Sequence, residues 1–242
     1  MDADKWILSK VNTVAKDMTY NLDHFELGIA VQKVYDFIWD EFCDWYIEMC
    51  KPRFQTADKE TAGRVLVYVL SRALELMHPF MPFITEEIWQ SIPHEGNALI
   101  VADWPQFTDA LAFKAEEDQM ESVMEAIRAI RNRRAEMNVP PSKKAKLFIE
   151  TDSAEVFEQG APFLIKLASA SEVDINVEFD KAGAVQVITD AAKIYIPMAE
   201  LIDMEKEIQR LNKEMEQCRK QAEGLEARLN NPGFVNKAPE NV

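Results

Sequence analysis

His78-Pro79-Phe80-Met81-Pro82-Phe83-Ile84-Thr85-Glu86-Glu87-Ile88-Trp89 is the stretch on which the fold turns. Two prolines so close together break a helix interior, so one helix must end here and another begin. Phe80, Phe83 and Trp89 offer large apolar volume to fill a core. Thr85 stands where it can cap a short helix from Thr85 to Gln90, with Glu86 and Glu87 near the positive end. His78 has no cysteine or second histidine beside it, so a structural role is expected of it rather than metal ligation.

Upstream of this turn, apolar residues recur at three- and four-residue steps, the period of a helix with one buried face. A first helix from Asp4 to Tyr20 carries Ile7, Val11, Val14 and Met18. Asn21 and Asp23 then offer a break and a new cap. A longer second helix carries Leu27, Val31, Val34, Ile38, Trp45 and Met49, with Phe42 beside that seam. It is expected to end before Pro52, which biases Lys51 away from helical geometry. The third runs from about Asp58 through Val65, Val69, Leu70, Leu74 and Met77 to His78-Pro79. Helices joined this tightly form an antiparallel bundle.

Downstream, residues 91–110 are irregular, and helical spacing resumes from Ala115 through Met120, Val123, Met124, Ile127 and Ile130. It stops before Val139-Pro140-Pro141, where the chain changes character. Lys146 to Glu150, Val173 to Phe179, Val185 to Thr189 and Lys193 to Ile196 read as strands of a three- or four-stranded α+β module. A helical stretch from Ala154 to Ala170 lies among them, with Gly160 and Pro162 as possible breaks. Leu201, Met204, Ile208, Leu211, Met215, Cys218, Ala222, Leu225 and Leu229 then form a heptad seam, broken at Asn230-Asn231-Pro232-Gly233. Such a stripe needs cover from a second copy, from the chain's own body or from a returning helix. The expected class is mainly α: an antiparallel helix bundle over 1–127, a basic helix and small α+β module over 128–198, and a long C-terminal heptad helix over 199–242.

Composition agrees with that class. The 242 residues are 48% hydrophobic and 10% aromatic with only 7 glycines, which disfavours both disorder and a turn-rich all-β fold. Apolar runs are too short and too interrupted by charge to span a bilayer. The N-terminal residues lack the pattern of a signal peptide. Three scattered cysteines suggest reduced thiols in a cytoplasmic setting and cannot build a zinc site. The net charge of −15 is unevenly spread. From Arg128 to Lys146 there are seven Lys or Arg against one acid, Glu136, so that strip carries +6 and the remainder −21. Phosphate binding depends on local charge density, so an acidic chain can still hold an attractive strip.

Four separated motifs narrow the reading. The His78–Trp89 stretch resembles the anticodon-binding domain of the class I synthetases for valine, isoleucine and leucine. Trp39-Asp40-Glu41-Phe42-Cys43-Asp44-Trp45-Tyr46-Ile47-Glu48, followed by Lys51-Pro52, looks like the bundle helix of that subclass. Arg128-Ala129-Ile130-Arg131-Asn132-Arg133-Arg134-Ala135-Glu136-Met137-Asn138-Val139-Pro140-Pro141 is similar to the valine enzymes in particular. So is the heptad helix followed by Asn231-Pro232-Gly233-Phe234-Val235-Asn236-Lys237-Ala238-Pro239. Isoleucine enzymes typically end in a cysteine-rich zinc module, which these cysteines cannot form.

The resemblance implies an RNA-binding piece of a valine-specific tRNA ligase, with valine tRNA as partner and neither DNA nor membrane. The family's His-x-Gly-His and Lys-Met-Ser-Lys-Ser motifs are absent from these residues. No catalytic residue and no cofactor are therefore expected here, while ATP and magnesium serve the parent enzyme, itself expected to be monomeric. Anticodon bases are unpaired and can be read by stacking and edge hydrogen bonds. Arginine suits such a task because its guanidinium both stacks and forks onto phosphate. Arg128, Arg131 and Arg134 stand at three-residue steps along one helix face, while Arg133 falls off the row and is free to pair with a local acid. Lys143, Lys144 and Lys146 extend the positive strip, and Lys51, Arg53 and Phe54 offer two charges and a stacking ring near the end of the second helix. For each of these the competing reading is a surface ion pair of little energetic weight. For the whole chain the competing readings are the equivalent region of an isoleucine or leucine enzyme, or an interaction protein that self-associates through Leu201 to Leu229 with an incidental basic strip.

Overall fold

A computed structural model describes the backbone of residues 1–201 and 204–229, and the side chains of these except 200, 204–211 and 227–229. Helix α1 (Asp2–Asp23) is the axis of the bundle, packed by α2 (Leu27–Asp36), α4 (Lys59–Met77) and α6 (Lys114–Glu136). Its expected seam is buried at Ile7, Val11 and Met18, against Phe37, Tyr46 and Met49 of the second helix and Met124, Ile127 and Ile130 of α6. The irregular stretch before α6 is sewn onto α1 by polar side chains. Asn12 donates to the Thr108 carbonyl and accepts from the Thr108 N–H, both at 2.9 Å. The Trp104 indole N–H donates to Thr19 at 2.9 Å.

The second helix differs from expectation in its middle and at its end. Between α2 and α3 (Glu48–Arg53) runs an eleven-residue π-helical segment, Phe37–Ile47. The wider turn brings residues five apart onto one face, so Phe37 and Phe42 stack inward at 6.5 Å between ring centroids. Phe42, set beside the seam by an α-helical reading, is thus a core residue only 3% exposed. The helix also continues one residue past Pro52 instead of stopping before it. Arg53 makes this possible because its side chain, rather than another helical turn, holds the end in place. It forks onto Asp4 at 2.6 and 2.8 Å and onto Asp58 at 2.6 Å, with Tyr46 donating to the same Asp4 carboxylate at 2.7 Å.

Helix α5 (Pro82–Gln90) begins three residues earlier than the Thr85 cap predicts. Proline at the first helical position loses no hydrogen bond, so Pro82 opens the helix and Met81 precedes it. Thr85 then lies inside the first turn, buried, donating to the Met81 carbonyl at 2.8 Å and lying 2.8 Å from His78 Nδ1. This phase turns Thr85 and Trp89 inward, so Phe83, expected in the core, is 92% exposed. His78 is held structurally, as its isolation in the sequence suggests.

The second module is a four-stranded sheet in the order β2-β1-β4-β3. Strands β1 (Ala145–Glu150) and β2 (Ala170–Ile175) are parallel, joined across helix α7 (Ala154–Leu167), while β3 (Ala184–Ile188) and β4 (Lys193–Pro197) form an antiparallel hairpin with β4 beside β1. Strand β2 lies earlier than expected. It ends at Ile175, and the next residue, Asn176, with a positive φ of 52° and amide bonds to the Thr151 backbone, both 2.9 Å, turns the chain out of the sheet. Gly160 and Pro162 do not split α7. A Cβ on Gly160 would lie 2.7 Å from Val123 Cγ2, so glycine is there to let α7 press against α6. The division expected between 127 and 128 falls inside α6, a single helix that packs on both α1 and α7 within one continuous core. Short α8 (Met198–Leu201) buries Leu201. In α9 (Met204–Leu229) the seam residues Met215, Cys218 and Leu225 are exposed. The expected break at Asn230-Asn231-Pro232-Gly233 and the motif from Asn231 to Pro239 lie outside the described residues.

Two titratable groups give the fold a measurable pH signature. Burial pushes the Asp4 carboxyl up, but the bonds from Arg53 and Tyr46 outweigh it and hold the pKa below its usual 3.8. Its contribution is present at neutral pH and is lost as pH falls through that depressed value. Arg53→Met leaves a buried carboxylate without its cation and should cost about 3–5 kcal/mol in urea unfolding near pH 7. Glu75 is the opposite case. Burial raises its pKa to about 7, with Arg72 pulling it down and Asp103 adding to the rise. Its favourable contribution is complete below the usual carboxylate value and is lost as pH rises through about 7. Glu75→Gln should therefore raise the melting temperature near pH 8 and leave it nearly unchanged near pH 4.

Candidate nucleic-acid interface

The last three turns of α6 carry four arginines, and the structure gives each a different task. Arg128 and Arg131 both lie over the Trp45 indole, their guanidinium carbons 5.1 and 5.6 Å from the ring centroid. Arg128 also pairs with Glu121 at 2.7 Å. Arg131 donates from Nε to the Leu167 carbonyl at 2.6 Å, satisfying one of the open acceptors at the end of α7. Its terminal nitrogens make no hydrogen bond among the described residues, and the side chain is exposed. Arg133, off the row, pairs with Glu136 at 3.0 Å.

Arg134 is not the third member of an outward row. It is 6% exposed and donates to the carbonyls of Pro140 and Lys143. Burial alone draws its pKa below the usual arginine value. Three-residue steps fall short of a full helical turn by about 60° each, so a row started outward at 128 has drifted about 120° by 134. The chain then leaves α6 through Asn138, at a positive φ of 54°, and folds over the guanidinium. Arg53 is likewise 6% exposed and spent on Asp4 and Asp58, so it offers no charge at the surface.

The remaining sequence candidates divide by accessibility. Lys51 is exposed beside Glu48, and Phe54 is 44% exposed just past α3. Lys144 is exposed and Lys143 half-buried. Lys146 lies between Glu172 and Asp174, each at 2.9 Å, and hydrogen bonding to Asp174 and then Glu172 raises its pKa. Two features escaped the sequence reading. Trp45 is a core residue by pattern, and nothing local marks it as a bed for two cations. Lys166 is exposed one residue before Leu167, whose carbonyl holds Arg131, and only the α6–α7 packing links the two stretches. On the other side the basic surface stops at an acidic recess of about 370 Å³, where Asp40, Glu41, Asp44 and Glu121 surround Arg128. Among the described residues no three His, Cys, Asp or Glu side chains are placed so that they could hold a metal ion, and no helix is long and apolar enough to cross a membrane.

Residues 4–149 match the family described as the anticodon-binding domain of tRNA ligase, and residues 203–242 match the valyl tRNA synthetase tRNA binding arm. The chain is 46% identical to the valine–tRNA ligase of Clostridium acetobutylicum over 247 residues, covering 99% of this chain and 28% of that protein. With the valine–tRNA ligase of Clostridium tetani it shares 49% over 246 residues at the same coverage, and with that of Thermotoga maritima 40% over 239 residues, 99% of this chain and 27% of the relative. The chain thus spans little more than a quarter of the length of the curated relatives it matches. Its bundle, its basic helix and the matched residues 4–149 coincide: the chain belongs to the anticodon-binding domain family of tRNA ligases.

Proposed function

We propose that this chain is the tRNA-gripping part of a cytoplasmic valine–tRNA ligase, holding the anticodon end of valine tRNA. The observation that carries the reading is the pair of outward guanidiniums, Arg128 and Arg131, bedded on Trp45 in a chain of net charge −15. A guanidinium with one face occupied by an indole still presents its edge, and the edge is what forks onto phosphate. Lys144 and Lys166 widen the surface, and the acidic recess beside Arg128 limits it, so an RNA strand is steered along α6 rather than across it. Activation and transfer of valine, with ATP and magnesium, belong to residues outside this chain. That division is supported by the absence of the family's nucleotide-binding motifs from these 242 residues.

Valine tRNA should bind with strong salt dependence, and Arg128→Glu with Arg131→Glu should weaken it at least about tenfold and flatten the salt slope by about 1.4 to 1.8, the value of two lost phosphate contacts. Fluorescence anisotropy from about 50 to 200 mM salt reads both quantities. Parallel titrations with isoleucine and leucine tRNAs test the choice of amino acid, and equal affinity for all three would remove it.

A second reading rests on α9, where Met215 and Leu225 are 65% and 58% exposed and Cys218 lies between them on the seam. We propose that this stripe pairs with a second copy when nothing else covers it. Sedimentation velocity over a hundredfold concentration range should show a dimer, and a sedimentation coefficient that stays at the monomer value rejects the pairing.

A further inference from the structure

Trp45 is 7% exposed and belongs to the core, yet its ring contacts two charged side chains that are themselves exposed. Ordinary surface arginines are held by carboxylates, which satisfy the guanidinium and lower its value to an incoming phosphate. Arg131 has no carboxylate partner among the described residues, and its two fixed points are the Leu167 carbonyl and the indole. Arg128 has one, Glu121, on the side facing the acidic recess. The indole therefore steadies both guanidiniums, and of the two only Arg131 is held without a carboxylate among the described residues. An aromatic face attracts a cation while leaving the guanidinium edges available for hydrogen bonds.

The placement of that ring follows from the π-helical segment. Trp45 is the ninth residue of Phe37–Ile47, and the same wide turns that direct Phe37, Phe42 and Tyr46 inward present Trp45 to the neighbouring helix. We propose that Trp45 is a positioning residue for RNA binding: it holds Arg128 and Arg131 as a preformed pair whose outer edges grip adjacent phosphates of one strand. This rests on the reading that the two arginines contact tRNA. Preorganisation lowers the conformational entropy lost when two long side chains are fixed on a ligand.

The test uses the whole 242-residue chain and a valine tRNA transcript as probe. Trp45→Leu keeps an apolar side chain but removes the π face, and it should weaken binding roughly fivefold and reduce the salt slope. Trp45→Phe should recover most of both losses. Phe42→Leu, in the same buried segment but away from either arginine, controls for loss of stability and should leave the slope alone. Because Trp45→Leu also disturbs the core, a cycle between Trp45→Leu and Arg131→Ala isolates the coupling, since the core disturbance is common to both backgrounds and cancels. Non-additive losses in that cycle support the proposal. Additive losses, or a Trp45→Leu protein with wild-type affinity and slope while Arg128→Glu with Arg131→Glu abolishes binding, would overturn it and leave the RNA reading intact. If the double arginine variant binds as wild type does, the RNA reading falls and takes this one with it.

Discussion

Asp4 and Arg53 stand 49 residues apart and meet in the interior, at 2.6 and 2.8 Å, with Tyr46 on the same carboxylate. A buried pair of charges is costly to desolvate and is retained only where its geometry is good and its remaining valences are filled. Here Asp58 and Tyr46 fill them. The consequence is positional. The network ties the first turn of α1 to the last residue of α3, so the whole run from Leu27 to Arg53 is pinned at its far end. Apolar packing alone tolerates small slides along a helix axis, but a bidentate fork does not. Trp45 lies eight residues before that pin, and the place where it meets α6 is set by it.

The arginines show how one residue type is divided among incompatible tasks. Arg53 and Arg134 give up water and spend their donors on the protein, the first on carboxylates and the second on two backbone carbonyls. Arg134 in this way closes the turn through Pro140 and Lys143 that launches β1. Arg128 and Arg131 keep their water and are steadied by a ring. Within α6, Arg128 and Arg134 differ by a rotation of about 120°, enough to turn one long cation to the solvent and the other to the core.

How far the sequence carried this picture follows from the range of each interaction. The seams of α1, α4 and α6 were legible because burial of one face imposes its period on the residues themselves, as at Ile7, Val11 and Met18. So was the clustering of charge after residue 127. The π-helical turns were not, because Phe37 and Phe42 read equally well as an α-helical seam with one residue astray. Thr85 was misplaced because a capping signal and a proline at the first helical position competed, and the proline set the phase. Arg53 read as a surface charge because its partner Asp4 is remote in sequence. The Trp45 bed was invisible for the same reason, since its cations come from a helix more than 80 residues downstream.

Helix α9 is 26 residues long, which at 1.5 Å per residue is a rod of about 39 Å. In mechanical terms it is a lever. Leu201, 1% exposed, is buried where α8 meets β1 and β4. A tilt of only about 10° at the near end carries the far end of such a rod about 7 Å, more than the rise of a full helical turn.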